Sequence, residues 1–496
     1  MTDVLIIGSG LGGLVCGSIL SRHGFNVTIV EQCHQIGGCL QMFKRFGTSF
    51  DTGIHYVGGM AEGQILYRLF DYLDLNKDVR LSRLDDNGYD IFNIGGNYCR
   101  YASGYDNFVD TLCRSFPSRR ADIERYIKGI RDIAAASPLY TMRKIDIENV
   151  LIEPDYVKKS VNEFIASCTD DAGLANALAG NLPLYAGVKD KTPIYIHALI
   201  NNLYIQSAWR IVGGGESIAS SLAASIRRAG GSIITGKKAV KLECDETSAK
   251  RVLFEDGSVI EAKAFISNVH PQTMMPMLED VGLLRKAFRD RINSLENTTS
   301  CFTIYIKFKP QSLPYMNSNY YYYRKPDVWA AMDYDPDNYP ESFLYMHQCS
   351  EENQKFAVGA QLISYMHWDD VKMWENSTIG RRGADYKEFK QRIAEKCLRR
   401  LEECLPGTIS AIEAYETSTP LTYRDYTGTR LGSMYGILRD KNYPAQTLVS
   451  QRTKIPNLYM TGQNINSHGV LGVTIGAALT CAEFLGLSTI VEEIDK

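Results

Sequence analysis

The sequence predicts an α/β fold that opens on a parallel sheet, and three observations carry that prediction. A short apolar run, Val4 to Ile7, suits a buried parallel strand. The turn Gly8-Ser9-Gly10-Leu11-Gly12-Gly13 follows at once, and a helical stretch from Leu11 to His23 is ended by Gly24. Asn26 to Val30 then read as a second strand closed by Glu31, which completes a β-α-β unit.

Each part of this unit has a physical task. Gly8 allows the tight turn, Gly10 lets backbone approach a pyrophosphate, and Gly13 lets helix and strand pack closely. Ser9, Leu11 and Gly12 bring the chain to a helix N-terminus whose free N–H groups and positive dipole favour phosphate. Glu31, followed by Gln32, is spaced to accept hydrogen bonds from the adenosine ribose hydroxyls. The reading is a Rossmann-like, dinucleotide-binding start.

Composition bounds the rest. The 496 residues suffice for two or three folding units with room for a cofactor. Net charge is −3, from 54 basic against 57 acidic residues, and no nucleic-acid partner is expected. Twelve cysteines include no CxxC pair, so neither a metal site nor a disulfide framework is signalled. No signal peptide precedes the first strand, which predicts a cytoplasmic protein. Gly469 to Leu487 is apolar except for Glu483, but lacks flanking basic or aromatic anchors and reads as a buried helix rather than a membrane span.

Between residues 60 and 205 helical patterns dominate, at Asp106–Ser115, Arg119–Ala135 and Asp155–Ala166. The second carries Arg119, Arg120, Arg125, Lys128 and Arg131 around an Ile123/Ile127/Ile130 stripe, the pattern of a membrane-surface helix or of a solvated helix with one core face. Asn181 to Trp209 is apolar and aromatic. Gly213-Gly214-Gly215 open a helix over Ser217–Ala229, and a meander with an Asp256-Gly257 hairpin signal follows. Residues 301–374 hold 17 aromatics in 74 positions, including the run Tyr320 to Tyr323. Alternate residues of that strand face opposite ways, so two tyrosines line a cavity or all four pair across a sheet. Lys387 to Leu405 reads as an amphipathic helix with Phe389, Ile393, Cys397, Leu401 and Cys404 inward.

After Glu31 the chain reads QCHQIGGC, placing Gly37-Gly38 six residues beyond the acid. Glu-x5-Gly-Gly after GxGxxG resembles the FAD-binding opening of the amine oxidase and phytoene desaturase superfamily. An arginine commonly follows that glycine pair; here it is Cys39. GGCLQMFKRFGTSFDTGIHYVGG resembles in particular the retinol saturase branch and its bacterial relatives. TPLTYRDYTGTRLGSMYGI from Thr419 and IPNLYMTGQNINSHGVLGVTIGAAL from Ile455 resemble the saturase and carotenoid isomerase branch.

The resemblance implies FAD and a domain built from discontinuous segments: 1–75, 206–275 and 415–496 for FAD, with 76–205 and 276–414 forming an α+β substrate domain. It implies FAD contacts at Gly53, at the backbone of Val240, at Gly462 and Gln463, and at Leu471, Gly472 and Val473. The helix near Gly472 would then direct its positive end at the flavin and stabilise negative charge on the reduced ring. His55, Tyr56, Tyr426 and His468 are the candidate proton donors by motif position.

The implied activity is hydride transfer to one carbon of a lipophilic conjugated polyene or isoprenoid and protonation of its neighbour, a retinol saturase-like reduction. Carotenoid desaturation or isomerisation is the alternative. A prenyl-binding protein of the GDP-dissociation-inhibitor type is the non-catalytic alternative. No separate NAD(P)H domain is expected, so NAD(P)H would donate electrons in a transient encounter or another donor would replace it. Peripheral membrane contact fits a lipophilic substrate.

Overall fold

A computed structural model describes residues 2–143, 154–279 and 282–496. The strand Thr2–Ile7 leads through the glycine turn into the helix Leu11–Arg22. The strand Val27–Val30 returns parallel to the first, with Val4 opposite Val27. Distant segments complete the sheet. Ser232–Ile234 adds beside Val27–Val30, and Val259–Ser267 and Leu458–Met460 extend the other side, all parallel. The strand Val259–Ser267 serves twice: its first part pairs antiparallel with Ala249–Phe254 of the meander and its second part parallel with Thr2–Ile7.

Strand alternation divides the core here. Val4 and Ile6 pack under the helices Leu11–Arg22, Glu216–Arg228 and Gly469–Leu485, whereas Leu5 and Ile7 pack against the meander. All four are at most 6% exposed, and each contributes roughly 1.5–3 kcal/mol by its burial. The helix Gly469–Leu485 packs on the first one: Cys16 Sγ lies 3.5 Å from the Ala477 carbonyl oxygen.

A second, seven-stranded sheet runs in the order Ile412–Ser418, Ser300–Phe308, Gly359–Met366, Ser342–His347, Asn319–Tyr323, Asp90–Ile94, Asn97–Tyr101. Its neighbours are antiparallel except at one joint, where Asn319–Tyr323 pairs parallel with Asp90–Ile94. That joint ties the two distant segments of this half together. A hairpin, Met42–Arg45 with Thr48–Asp51, projects between the two sheets' segments in sequence.

Four readings of the sequence take a definite form. The tyrosine run is buried throughout, at 7% exposure or less. Tyr321 and Tyr323 pack under the helices of one face, Tyr320 and Tyr322 on the other face with the helix Ala384–Cys404. The stretch Asp155–Ala166 is two helices, Pro154–Lys158 and Val161–Cys168. The break is a capping box: Ser160 Oγ accepts from the Glu163 N–H at 3.1 Å and the Glu163 carboxylate accepts from the Ser160 N–H at 2.7 Å. The basic helix Arg120–Ala135 turns Ile123, Ile127 and Ile130 into the core, and Arg119, Arg120 and Lys128 pair with Asp170, Asp110 and Asp132. The apolar C-terminal stretch forms Gly469–Leu485, and no helix among the described residues is long and apolar enough to cross a membrane.

Candidate active site

The two sheets meet around a cavity of about 280 Å³. Its polar end is built from glycine-rich backbone. Gly10, Leu11 and Gly12 come from the first turn, Gly37, Gly38 and Cys39 from the second glycine pair, and Gly462 and Gln463 from the loop after Leu458–Met460. Leu471, Gly472 and Val473 border it from the C-terminal helix. Its other end is apolar and aromatic. Ile196, Leu199, Ile200, Leu203 and Tyr204 line it from the helix Ile194–Gln206, facing Tyr56, Tyr140, Tyr423 and Tyr435. The aromatic wall thus comes from these residues and not from Tyr320–Tyr323, which the second sheet consumes in its own packing.

Two helix N-termini open on this cavity without a side-chain cap. Gly10 starts Leu11–Arg22 and His468 starts Gly469–Leu485. The first N–H to find a helical partner in Leu11–Arg22 is that of Leu14, 3.0 Å from the Gly10 oxygen. The N–H groups ahead of it have no intrahelical acceptor, and with the dipole they form a site for phosphate.

The turn is tightly determined. Gly8 has φ +97°, and a Cβ on Gly13 would lie 2.1 Å from the Gly8 carbonyl oxygen. Glu31 stands at the end of Val27–Val30 and braces the turn. Its Oε2 accepts from the Ser9 N–H at 2.9 Å and the Ser9 hydroxyl at 2.7 Å, and its Oε1 from the Cys33 N–H at 2.9 Å.

Two half-buried imidazoles carry buried, unpartnered nitrogens beside the cavity, His55 Nδ1 and His468 Nε2. His197 differs: both of its nitrogens meet tyrosine hydroxyls at 2.7 Å, from Tyr126 and Tyr185. Burial, with a smaller push from Arg210, lowers the His55 pKa to about 4. Burial likewise lowers His468 to about 4. Both rings are neutral at neutral pH. Tyr56 is of another kind. Its hydroxyl lies 2.6 Å from that of Tyr321 and donates to Asp90 Oδ2 at 3.1 Å.

The structure gathers Gly10, Leu11, Gly12, Gly37, Gly38, Cys39, Gly53, His55, Tyr56, Gly462, Gln463, His468, Leu471, Gly472 and Val473 around one cavity. Gly8, Ser9, Gly13 and Glu31 stand behind them and shape the turn. Gly53 meets Cys39: a Cβ there would lie 2.9 Å from Cys39 Cβ, so the glycine is required by packing within the protein. Gln32 is exposed, and Val240 lies on the meander strand Ala239–Cys244 with its side chain 37% exposed, away from the cavity lining. Tyr426 is a correction. It is 50% exposed and faces a second, outer cleft, because Tyr423 on the same helix Pro420–Thr427 takes the inner position.

That outer cleft, about 390 Å³, lies between the hairpin and the helix Ala384–Cys404. It shares Gly38, Thr52, Tyr423 and Thr427 with the inner cavity. Sequence reasoning missed Asn268, which threads between the glycine segments: a Cβ on Gly10, Gly12 or Gly462 would approach its amide within 2.9, 2.8 and 2.5 Å. It missed Arg439 as well, buried with its guanidinium donating to the carbonyls of Asn464 (3.0 Å) and Ile465 (2.8 Å), which fixes the loop before His468. The signal for Asn268 is its place at the end of a strand entering the nucleotide half; Arg439 has no local signal.

A glycine-rich turn on a parallel sheet, two uncapped helix N-termini and a bracing acid define a dinucleotide-dependent protein. The chain belongs to the flavin containing amine oxidoreductase family, whose model matches residues 11–483. It is 24% identical to all-trans-retinol 13,14-reductase of Danio rerio, over 97% of this chain and 86% of that protein. It is 22% identical to prolycopene isomerase 2 of an Oncidium hybrid cultivar, over 97% of this chain and 83% of that protein. An oxidoreductase from Methanosarcina mazei superposes with a TM-score of 0.64 at 16% identity, covering 96% of this chain and 99% of its own. The family implies FAD. The donor set fits it: uncapped N–H groups for the pyrophosphate and orphaned imidazole nitrogens beside the cavity.

Proposed function

We propose that this chain reduces a carbon–carbon double bond of a lipophilic conjugated polyene or isoprenoid, in the manner of a retinol saturase. The observation that carries the reading is that the inner, tyrosine-walled cavity and the outer cleft lie against each other and share Gly38, Thr52, Tyr423 and Thr427 in their linings. An elongated apolar molecule would lie through both, with one end at the glycine-rich backbone. The reductase named above adds support by its substrate, and the isomerase favours a second reading, redox-neutral isomerisation of a carotenoid in the same cavity.

FAD would be held by Gly10 to Gly12, Gly37 to Cys39, and Gly462, Gln463 and Leu471 to Val473. When bound it supplies two-electron hydride chemistry. The chain's own residues supply the rest. The helix Ile194–Gln206 and the tyrosines exclude water and orient the polyene. The helix Gly469–Leu485 offers its positive end to developing negative charge. His55 and His468, neutral by burial, are poor proton donors at neutral pH but can accept or donate a hydrogen bond. Tyr56 lines the cavity with its hydroxyl held on Asp90 and Tyr321.

Electrons would arrive from a transiently bound NAD(P)H or a redox partner, since the described residues show one β-α-β dinucleotide unit. A membrane is the natural source of the substrate: Arg45, Ile379 and Lys387 rim the outer cleft and Phe46, 42% exposed, stands next to Arg45.

The test is anaerobic reduction of the FAD-loaded protein followed by addition of retinol, then of a carotenoid, with the flavin spectrum and the products recorded. Reoxidation with a dihydro product is the expected result. Isomerised carotenoid without net reduction would replace the first reading by the second.

A further inference from the structure

The inner cavity and the outer cleft adjoin at Gly38, Thr52, Tyr423 and Thr427, the residues common to their linings. Of these four only Tyr423 carries a large side chain. It is half-buried on the helix Pro420–Thr427.

The strand Ser300–Phe308 locates the same boundary independently. Cys301 lines the inner cavity and Tyr305 lines the outer cleft. Thr303 stands between them on the same face, since alternate residues of a strand point the same way. Four residues at roughly 3.3 Å each put about 13 Å of strand between the two spaces. At the midpoint the hydroxyls of Thr303 and Tyr423 lie 3.0 Å apart. Thr303 is fully buried, so the ring of Tyr423 is tethered from inside the protein. The helix fixes its main chain: the Thr427 hydroxyl donates to the Tyr423 carbonyl at 2.6 Å. With its hydroxyl spent on Thr303, Tyr423 presents ring where the two spaces adjoin.

The outer cleft beyond has room for a bulky group. Its volume is about 390 Å³, and Phe43, Tyr305, Tyr386 and Tyr426 give it aromatic surface. Phe43 meets Tyr305 edge-on, with ring centroids 4.8 Å apart, so that surface is packed in place.

We infer that Tyr423 is the specificity-determining residue of this site: its tethered ring admits the slender, open-chain end of a polyene to the inner cavity and holds a cyclic end in the outer cleft. The inference rests on the double-bond reduction proposed above and adds a substrate class to it, a polyene with at least one open end. A conjugated chain is flat and narrow, whereas a methylated six-membered ring is wider across the chain and thicker through it. The same stop fixes how far the chain enters. Reduction then falls on one double bond, at a set distance from the bulky end. Thr303 is a positioning residue that acts through the ring of Tyr423.

The experiment uses the FAD-loaded protein and three polyenes in detergent: lycopene, open at both ends, β-carotene, ringed at both ends, and retinol, ringed at one. Binding is read by capturing the oxidised protein, washing it, and extracting and quantifying the polyene retained. Turnover is read by anaerobic single-turnover reduction with chromatography of the products. Wild type should favour lycopene over β-carotene about 100-fold, the scale on which an apolar pocket rejects excess carbon, and Tyr423→Ala should abolish the preference. Wild type should convert retinol to a single dihydro isomer. Tyr423→Ala, which lets the ring pass, should give a mixture. Tyr423→Phe and Thr303→Val cut the tether but keep the ring, and both should loosen the preference to the same degree. A merely structural role for either residue would lower flavin content or slow every substrate alike, and would leave the binding preference and the product pattern unchanged.

Wild-type protein that binds β-carotene as well as lycopene overturns the inference. So does a flavin-loaded Tyr423→Ala whose preference and product pattern match wild type. Should Tyr423→Ala fail to load flavin, unchanged preferences in Tyr423→Phe and Thr303→Val overturn it instead. Selective binding with no reduction of retinol or lycopene overturns the reductase reading alone and leaves the selection by Tyr423 standing.

Discussion

At the glycine turns of the parallel sheet the cavity wall is backbone; opposite them, where the helices Ile194–Gln206 and Pro420–Thr427 contribute, it is side chain. The first wall is made of Gly10, Gly12, Gly37, Gly38 and Gly462, where main-chain N–H groups would meet the proposed cofactor. The second is made of Tyr56, Tyr204, Tyr423 and Tyr435, placed so that rings meet it and hydroxyls reach back into a buried polar network. A phosphate needs many donors at fixed positions, and backbone at a helix start provides them with little mobility. A polyene needs a dry slot, and tyrosine provides apolar area with one polar tip. The two walls should therefore fail differently. The backbone wall should fail by losing the cofactor, the side-chain wall by losing rate.

The largest effect expected on the backbone wall is that of Gly13→Ala. The added Cβ would sit 2.1 Å from the Gly8 carbonyl oxygen, a contact that only movement of the helix start can relieve. Purified protein should carry no flavin and take none up on addition of FAD. A variant that retains stoichiometric flavin absorbance would show that the turn tolerates displacement and that the phosphate site lies elsewhere.

This contrast also governs what could be read from the sequence. The backbone wall was legible because its cause is local. A turn that needs glycines, a helix that starts after it and an acid at a strand end are contiguous in the chain. The side-chain wall was not. Asp90 reads as an ordinary acid at the edge of DIFNI, and only the parallel joint with Asn319–Tyr323 brings it to Asn319 and Tyr321. The tyrosine run advertised a slot but was absorbed on both faces of its sheet. Tyr426 stood in a motif, yet its helix turns Tyr423 inward instead. Motif position locates a segment; which side chain of the segment faces the cavity is decided by tertiary packing.

The next effect in size concerns the whole fold and is set by burial in both halves. Five histidines are held neutral, chiefly by burial: His55, His270 and His468 with pKa lowered to about 4, His197 and His347 to about 3. A base with a depressed folded pKa lets the unfolded chain bind protons first, so stability falls as pH drops below about 6.5. Asp51 and Asp90 act in the other direction. Burial raises both to about 7, so they favour the fold below that value and oppose it as pH rises from about 4 towards 7. Five groups against two give a net loss of stability on acidification between about 6.5 and 4. The denaturant midpoint should be lower at pH 5 than at pH 7. A higher midpoint at pH 5 would mean that the buried aspartates dominate.

The smallest of these effects sharpens the backbone wall itself. Asn268 follows the strand Val259–Ser267, its N–H bonded to the Ile7 oxygen at 2.9 Å, and its amide fills the gap between the first turn and Gly462. Asn268→Ala empties that gap without touching the helix start, so the glycine segments stay in place but lose their spacer. FAD affinity should fall about tenfold, the effect of about 1.4 kcal/mol, with the fold intact. Asn268→Asp keeps the volume and adds a negative charge beside the N–H groups that await a phosphate. Two like charges about 4 Å apart repel by roughly 1 kcal/mol in water and by more in a partly buried site. Asp should therefore weaken binding further than Ala, and more so at low salt. Fluorescence titration of FAD into the two apo-variants ranks them. If Asp binds as tightly as Ala at low salt, the pyrophosphate does not lie against this turn, and the uncapped start of Gly469–Leu485 becomes the better place for it.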